Sequence, residues 1–228
     1  MKTVFHRFAT AAAVAALVAP TVAQAQVTTF TTLAAWTAAV ANVGVDTYND
    51  LALAPVAGPL NRAAGAYSYT ASTVAPAGPP VGLNFFPAGT AGDVWLSTDN
   101  ALVTIRFGGF GSSVRGLGGF FFGSNSAGAF VPGVTLNLAA TTTGGGTQNF
   151  SMVGVSTTSF FGFLAASDWT SLTVTAVQPA GSFNWSTVND FRVAQAPASG
   201  VIPEPSTYAL MATGLIGLVG IARRRRTS

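Results

Sequence analysis

The chain of 228 residues contains no cysteine, and its single histidine and single lysine lie within the first seven residues. The lack of cysteine excludes disulfides, thiol nucleophiles and thiolate metal sites. Because the remaining chain has no histidine or lysine, serine–histidine triads, histidine zinc sites and Schiff-base catalysis lack a required residue there. Of the common catalytic groups, only pairs of carboxylates remain.

Charge is also scarce, since only 7% of the residues are Asp, Glu, Lys or Arg. The formal net charge of +3 comes from the two ends of the chain. Residues 26–202 hold four arginines against six aspartates, a formal net charge of −2. A weakly acidic domain lacks the basic patch that nucleic acids require, so we expect no nucleic-acid partner.

The first 25 residues have the pattern of a secretory signal peptide. A basic start precedes the apolar run 8–18, and Ala23 and Ala25 occupy the two small positions of an A-x-A cleavage site. We therefore expect residues 1–25 to be removed after Ala25 and the rest of the chain to be exported.

The last 26 residues, 203–228, combine three features in a fixed order. Pro203 and Pro205 restrain the backbone on either side of Glu204, which keeps this stretch extended. Residues 208–222 carry no charge and span about 22 Å as a helix, close to a bilayer core once flanking side chains snorkel. This membrane-spanning segment ends at a stop-transfer cluster that we expect to stay cytoplasmic: Arg223, Arg224, Arg225 and Arg226.

This order of features resembles the PEP-CTERM sorting signal, also named after the C-terminal region of an ice-binding protein. The resemblance implies that Pro203, Glu204 and Pro205 are recognised by an exosortase, a membrane-embedded cysteine protease that removes the tail nearby. It also implies a transient anchor in the inner membrane, followed by release to the surface or extracellular matrix of a Gram-negative bacterium.

The body of the chain predicts an all-β fold with one short helix. An apolar i, i+3, i+7 stripe follows Thr32 and indicates a helix at about 32–41. Alternating apolar and polar residues then indicate strands, most clearly at 103–107, 134–138 and 172–176. We predict an antiparallel, jelly-roll-like β-sandwich of about 8–12 strands over residues 26–193, followed by a flexible linker at 194–202.

Two glycine- or proline-rich stretches look irregular. Residues 74–92 contain four prolines and several glycines, which predicts a long loop. The pairs Gly108-Gly109 and Gly118-Gly119 predict turns or bulges, as does the run 144–146.

The body also resembles the jelly-roll ectodomains that accompany such tails, which are similar to lectins and carbohydrate-binding modules. The resemblance rests on the short pieces 30–36, 48–51, 160–163 and 188–191. It favours the sandwich fold and names no ligand.

Aromatic side chains are the candidates for glycan stacking, provided that they are exposed; the alternative is packing in the core. Trp169 and Trp95 are the favoured positions. The full set of candidates is Trp36, Trp95, Trp169, Trp185, Tyr67 and Tyr69.

Metal binding and catalysis are less favoured by the sequence. Calcium ligands would come from Asp93, Asp99, Asn100 and Asp190, but the sequence has no dense Asp-x-Asp-x-Asp run, which favours turn and capping roles for them. We expect neither a metal nor a cofactor. The sequence predicts a non-catalytic structural or adhesive protein of the exopolysaccharide matrix or biofilm, with a lectin-like carbohydrate-binding module and, less favoured, a hydrolase as alternatives.

Overall fold

The computed structural model describes residues 27–77, 82–144 and 146–198. The described chain forms one α-helix and fifteen β-strands, and every strand pairing is antiparallel. The prediction of an antiparallel sandwich with one short helix is confirmed. The predicted number of strands was too low.

The nine-stranded sheet follows the order β1-β13-β9-β15-β7-β6-β3, with β10 beside β9 and β2 beside β15. Its strands are β1 (Val27–Phe30), β2 (Ala41–Asp46), β3 (Val56–Ala57), β6 (Asn84–Thr90), β7 (Asp93–Thr98), β9 (Gly116–Ser124), β10 (Phe130–Val131), β13 (Phe160–Ala165) and β15 (Trp185–Gln195).

The six-stranded sheet follows the order β12-β11-β14-β8-β5-β4. Its strands are β4 (Leu60–Ala64), β5 (Tyr67–Val74), β8 (Thr104–Gly108), β11 (Val134–Thr142), β12 (Thr147–Val155) and β14 (Trp169–Ala176).

The two sheets enclose one apolar core. In β8, β11 and β14 the alternating residues predicted to face inward are buried, Ile105 and Leu136 completely. Aromatic rings join the sheets: Phe107 of β8 stacks on Phe191 of β15 with ring centroids 4.2 Å apart. The polar residues between them face solvent, as the period of two requires.

Helix α1 (Leu33–Ala39) forms a third layer on the outer face of the nine-stranded sheet. Its N-cap is Thr32, whose hydroxyl accepts a hydrogen bond from the Ala35 backbone N–H at 3.3 Å. Trp36 is fully buried under the helix against Phe160, and its indole N–H donates to the Phe163 carbonyl at 3.2 Å. The predicted helix is confirmed, two residues shorter at its C-terminal end.

The glycine pair Gly118-Gly119 does not form a turn, but the bulge that the prediction also allowed is present opposite it, where the register of β15 shifts between Asn189 and Arg192. The pair lies in the middle of β9, a central strand with β13 on one side and β15 on the other. A Cβ atom at Gly118 would lie 2.9 Å from the Phe160 ring and 3.4 Å from the Trp36 ring. Glycine is therefore needed here because the aromatic rings beneath α1 pack directly on the strand backbone.

Two other predictions for the body also need correction. Residues 84–90 of the predicted long loop form β6, and Pro87 is tolerated there because only residues 84 and 85 pair with the short edge strand β3. Strand β15 continues to Gln195 with Ala194 fully buried, so the predicted linker at 194–202 begins two residues too early. The glycines at 108–109 and 144 do lie at a strand end and a hairpin turn, as predicted.

No helix within the described ranges is long and apolar enough to cross a membrane. The predicted signal peptide 1–25, the sorting signal 203–228 and its span 208–222 lie outside those ranges.

Replacing Gly162 with alanine should lower the free energy of unfolding by about 1–3 kcal/mol, the usual cost of overpacking a core. Gly162 lies in β13, where a Cβ atom would collide with the Trp36 ring. Gly111→Ala is the matched control, because a Cβ atom there meets nothing within 4 Å. Urea unfolding followed by tryptophan fluorescence measures both variants, and an equal stability for the two would contradict the proposed packing of Trp36.

Candidate functional site

The favoured glycan-stacking residue, Trp169, lies in the core. Its side chain is only 2% exposed, it packs edge-on against Phe163, and its indole N–H donates to the Arg115 carbonyl at 2.7 Å. A ring held in this way cannot stack on a sugar, so the assignment of Trp169 as a glycan contact was wrong. Its polar neighbour Asp168 made it look exposed in the sequence, but Trp169 begins β14 with its ring turned inward.

Trp95, the second favoured position, is half-buried. Its ring packs edge-on against Phe122, and its indole N–H donates to the Gly128 carbonyl at 3.1 Å. Of the other candidates, Trp36 and Tyr69 are buried, while Trp185 and Tyr67 are half-buried. The aromatic side chains therefore serve mainly to pack the sandwich.

The aspartates are held by partners within the fold. Asp99 accepts a hydrogen bond from the Asn84 amide and Asp93 one from the Asn189 amide. Asp168 pairs with Arg115, and Asp190 with Arg192. Asn100, the remaining calcium candidate, accepts a hydrogen bond from the Leu102 backbone N–H, which is a turn role. Within residues 27–77, 82–144 and 146–198 no three acidic, histidine or cysteine side chains come together as a metal site would need.

The other two aspartates meet at Arg62, which points inward from β4. The guanidinium binds both carboxylate oxygens of Asp46 at 2.9 and 2.7 Å and both oxygens of Asp50 at 2.8 and 2.6 Å. Asp46 is 4% exposed and also accepts the hydroxyl proton of Tyr69 at 2.7 Å. The Tyr69 hydroxyl lies 3.3 Å from that of Tyr48. This closed group satisfies buried polar atoms and has no free acid or base.

The pKa values in this group follow from its geometry. The hydrogen bonds from Arg62 hold the pKa of the Asp50 carboxyl below its ordinary value, and the two carboxylates raise the pKa of Arg62. Burial, reinforced by the negative charge of Asp46, raises the pKa of Tyr48 far above its ordinary value. Burial is also the main reason why the pKa of Tyr69 is raised, and its bond to Asp46 adds to the shift. Asp50 therefore stays ionised and is a poor proton donor.

The outer face of the six-stranded sheet contains a shallow groove of about 390 Å³. Cross-strand register places its outward-facing side chains in two rows. In one row Asn137 lies between Ser151 and Thr175, and in the other Ala139 lies between Asn149 and Thr173. The two rows together are Ser151, Asn137, Thr175, Asn149, Ala139 and Thr173.

The small side chain of Ala139 makes the hollow, because the residues beside it in the row are larger. Asn137, Asn149 and Ser151 are exposed. The amides and the serine hydroxyl make no hydrogen bond within the described residues, whereas Thr175 shares a bond of 2.9 Å with Thr104. The groove thus offers neutral donors and acceptors around an apolar floor, which suits a polyhydroxylated ligand.

A second groove lies at the end of the sandwich where β15 ends. It is about 560 Å³ in volume and includes Tyr67, Asn42 and Gln195. The Tyr67 hydroxyl donates to the Asn42 carbonyl at 2.6 Å, and the Asn42 amide donates to the Gln195 side chain at 2.7 Å. Asn42 has a positive φ of 52°, a conformation found more often at functional positions than elsewhere.

The groove on the sheet face was missed by the sequence prediction. Its residues come from three strands, and its only aromatic lining residue, Phe150, was not among the candidates for glycan stacking. Thr173 and Asn137 stood out only as the polar members of alternating strands. A neutral asparagine on an outward-facing strand position is the one local signal that the sequence offered, and its meaning depends on the register between β11, β12 and β14.

The described residues therefore define an antiparallel β-sandwich that presents uncharged grooves to solvent. At the C-terminal end of the chain, residues 201–226 match the family model of the PEP-CTERM protein-sorting motif. The resemblance inferred from Pro203, Glu204 and Pro205 is confirmed. The motif supports an exported, surface or extracellular protein that passes through the membrane and is processed by an exosortase. No curated protein and no solved structure matches the chain.

Stability should fall as the pH rises above 10.0, the ordinary pKa of tyrosine. Tyr48 and Tyr69 have raised pKa values in the folded chain, so below pH 10.0 both states keep the phenol protons. Above it only the unfolded chain releases them. Each tyrosine should then lower the free energy of unfolding by about 1.4 kcal/mol per pH unit.

Urea unfolding at about pH 9, 10 and 11, on both sides of the ordinary tyrosine pKa, measures this slope. Tyr48→Phe should remove about half of it while changing stability little at neutral pH, because the lost hydrogen bond is long. A free energy of unfolding that does not change between these pH values would contradict the burial of the two phenols.

Proposed function

We propose that this chain is a non-catalytic protein of the cell surface or extracellular matrix of a Gram-negative bacterium, where its sandwich adheres to exopolysaccharide. The signal peptide 1–25 would direct export, and the span 208–222 would hold the chain in the inner membrane with Arg223 to Arg226 cytoplasmic. The exosortase would then remove the tail near Pro203, Glu204 and Pro205. The match of residues 201–226 to the sorting motif supports this route.

The groove on the six-stranded sheet is the observation that carries the adhesive role. Asn137, Asn149 and Ser151 present hydrogen-bonding groups that no other described residue uses. Amides and hydroxyls can bind the vicinal hydroxyls of a sugar, while the methyl groups of Ala139 and Thr173 face its C–H groups. Each contact is weak, so retention would depend on many copies binding one polysaccharide.

We propose that the chain is not catalytic because its carboxylates are paired with other side chains. A glycosidase needs one carboxyl group that donates a proton and a second that attacks or activates water. Asp46 and Asp50 share the Arg62 guanidinium, and the pKa of Asp50 is lowered, which disfavours the proton-donating role. The other four aspartates also accept hydrogen bonds from side chains of the fold.

A lectin-like site is the second candidate, and the groove at Tyr67 favours it. This groove combines a half-buried aromatic ring with the amide groups of Asn42 and Gln195. An aromatic face beside amides is suited to one terminal sugar rather than to a long chain. Tyr67→Ala would abolish the binding of a small glycan in this case and leave polysaccharide retention unchanged.

Sorting is tested by intact-mass spectrometry of material from the cell surface. We expect a species that begins after Ala25 and lacks Arg223 to Arg226. Replacing Pro203, Glu204 and Pro205 with alanine should leave the tail attached, because the extended recognition stretch is lost. A wild-type surface species that retains the four arginines would show that the tail is a permanent anchor.

Adhesion is tested with the double variant Asn137→Ala and Asn149→Ala. The full chain, purified in mild detergent, should lose about 30-fold in affinity for extracted exopolysaccharide, since two amides at about 1 kcal/mol each are removed. The control is Thr28→Ala with Thr157→Ala, two exposed positions outside the six-stranded sheet. Equal retention of both double variants would contradict a binding role for the groove.

A further inference from the structure

Arg106 differs from the other arginines of the described chain. Arg62, Arg115 and Arg192 each form an ion pair with an aspartate at 3.3 Å or less. Arg106 is exposed and has no such partner within residues 27–77, 82–144 and 146–198. Its guanidinium therefore remains available for an anion from outside the protein.

The position of Arg106 connects it to the groove. It lies on β8 opposite Thr173 of β14, in the same row as Ala139 of β11 and Asn149 of β12. Neighbouring strands are about 4.8 Å apart, so the Arg106 backbone is two strand spacings, about 10 Å, from Ala139 at the floor of the groove. The guanidinium itself lies along β8, 3.9 Å from where a Cβ atom of Gly108 would be. The backbone distance from Arg106 to Ala139 is comparable to the repeat of two linked pyranose rings laid across the strands.

The charge around Arg106 favours an anion. None of the six strands of this sheet contains an aspartate or glutamate, and their other arginine, Arg62, points inward to Asp46 and Asp50. Arg106 is thus the one charge on the outward-facing positions of these strands. The opposite neighbour in its row, Ser72 of β5, is neutral, and its hydroxyl donates to the Arg106 backbone carbonyl at 3.3 Å.

We propose that the outer face of the six-stranded sheet binds an acidic polysaccharide, with an uncharged part of the chain in the groove at Ala139 and a uronate carboxylate on Arg106. This inference rests on the proposed function and adds the chemical class of its ligand. The planar guanidinium binds a carboxylate through two parallel hydrogen bonds, a geometry that lysine cannot reproduce. The neutral groove then positions the sugar ring and the arginine selects for the acid.

The experiment compares two immobilised polysaccharides with the same linkage: polygalacturonate and its carboxyl-reduced, neutral form. The full chain in mild detergent should bind the polyuronate about fivefold more tightly, the upper end for one exposed ion pair. Raising the salt concentration from about 0.05 M to about 0.5 M should remove this preference, because the charges are exposed.

Arg106→Gln should remove the preference for the polyuronate and leave binding to the neutral polymer unchanged. Arg106→Lys should keep only part of the preference. Arg115→Gln is the control for net charge, since it removes the same unit of charge from a half-buried arginine outside the six-stranded sheet and should keep the preference. The exposed position of Arg106 means that the thermal transition should not change.

The possible outcomes separate this inference from the proposed function. Equal binding to both polymers, still weakened by the Asn137→Ala and Asn149→Ala pair, would overturn the role of Arg106 and keep the groove. An equal loss of preference in Arg106→Gln and Arg115→Gln would also overturn it, because net charge alone would explain the result. Binding to neither polymer, together with no effect of the groove variants on native exopolysaccharide, would overturn both proposals.

Discussion

The stacking of Phe107 on Phe191 is the contact on which the rest of the molecule depends. It joins a strand of the six-stranded sheet to the longest strand of the nine-stranded sheet, with nearly parallel rings. Tyr69 packs against both rings, and its hydroxyl donates a hydrogen bond to the buried Asp46. Without disulfides, the two sheets are held together by burial of this kind, at about 1.5–3 kcal/mol for each large apolar side chain.

The buried polar group around Arg62 completes that core and orders its edge. The aromatic cluster would otherwise leave the Tyr69 hydroxyl unsatisfied, which is costly in an apolar environment. Arg62 and Asp46 lie on different sheets, so their two hydrogen bonds connect β4 to β2 where the sheets come together. Most of the charged side chains in the described chain therefore pair with one another. The outward face of the six-stranded sheet is left almost uncharged.

The fold was predictable wherever one face of a strand meets water. Strands β8, β11 and β14 alternate clearly because their polar positions stay exposed, and Thr32 marked the start of the helix. The alternation fails in β9, whose residues are buried on both faces between the core and the layer of Trp36. The sequence predicts a turn or bulge at its glycines and does not reveal their packing role, because the Trp36 ring that packs on them is more than 80 residues away in sequence.

The candidate site was less predictable than the fold because it consists of relationships between strands. An exposed asparagine does not by itself indicate a binding site. Asn137 forms one wall of a groove only because Ala139 lies beside it on β11 and Asn149 lies across from Ala139 on β12. The same holds for Arg106, which is informative only since the other described arginines pair with aspartates inside the fold. Binding by such a face requires that strands distant in sequence lie in one register, and the aromatic core fixes that register. The core and the binding face are thus the two sides of the same strands, because successive residues point alternately to the core and to the outer face.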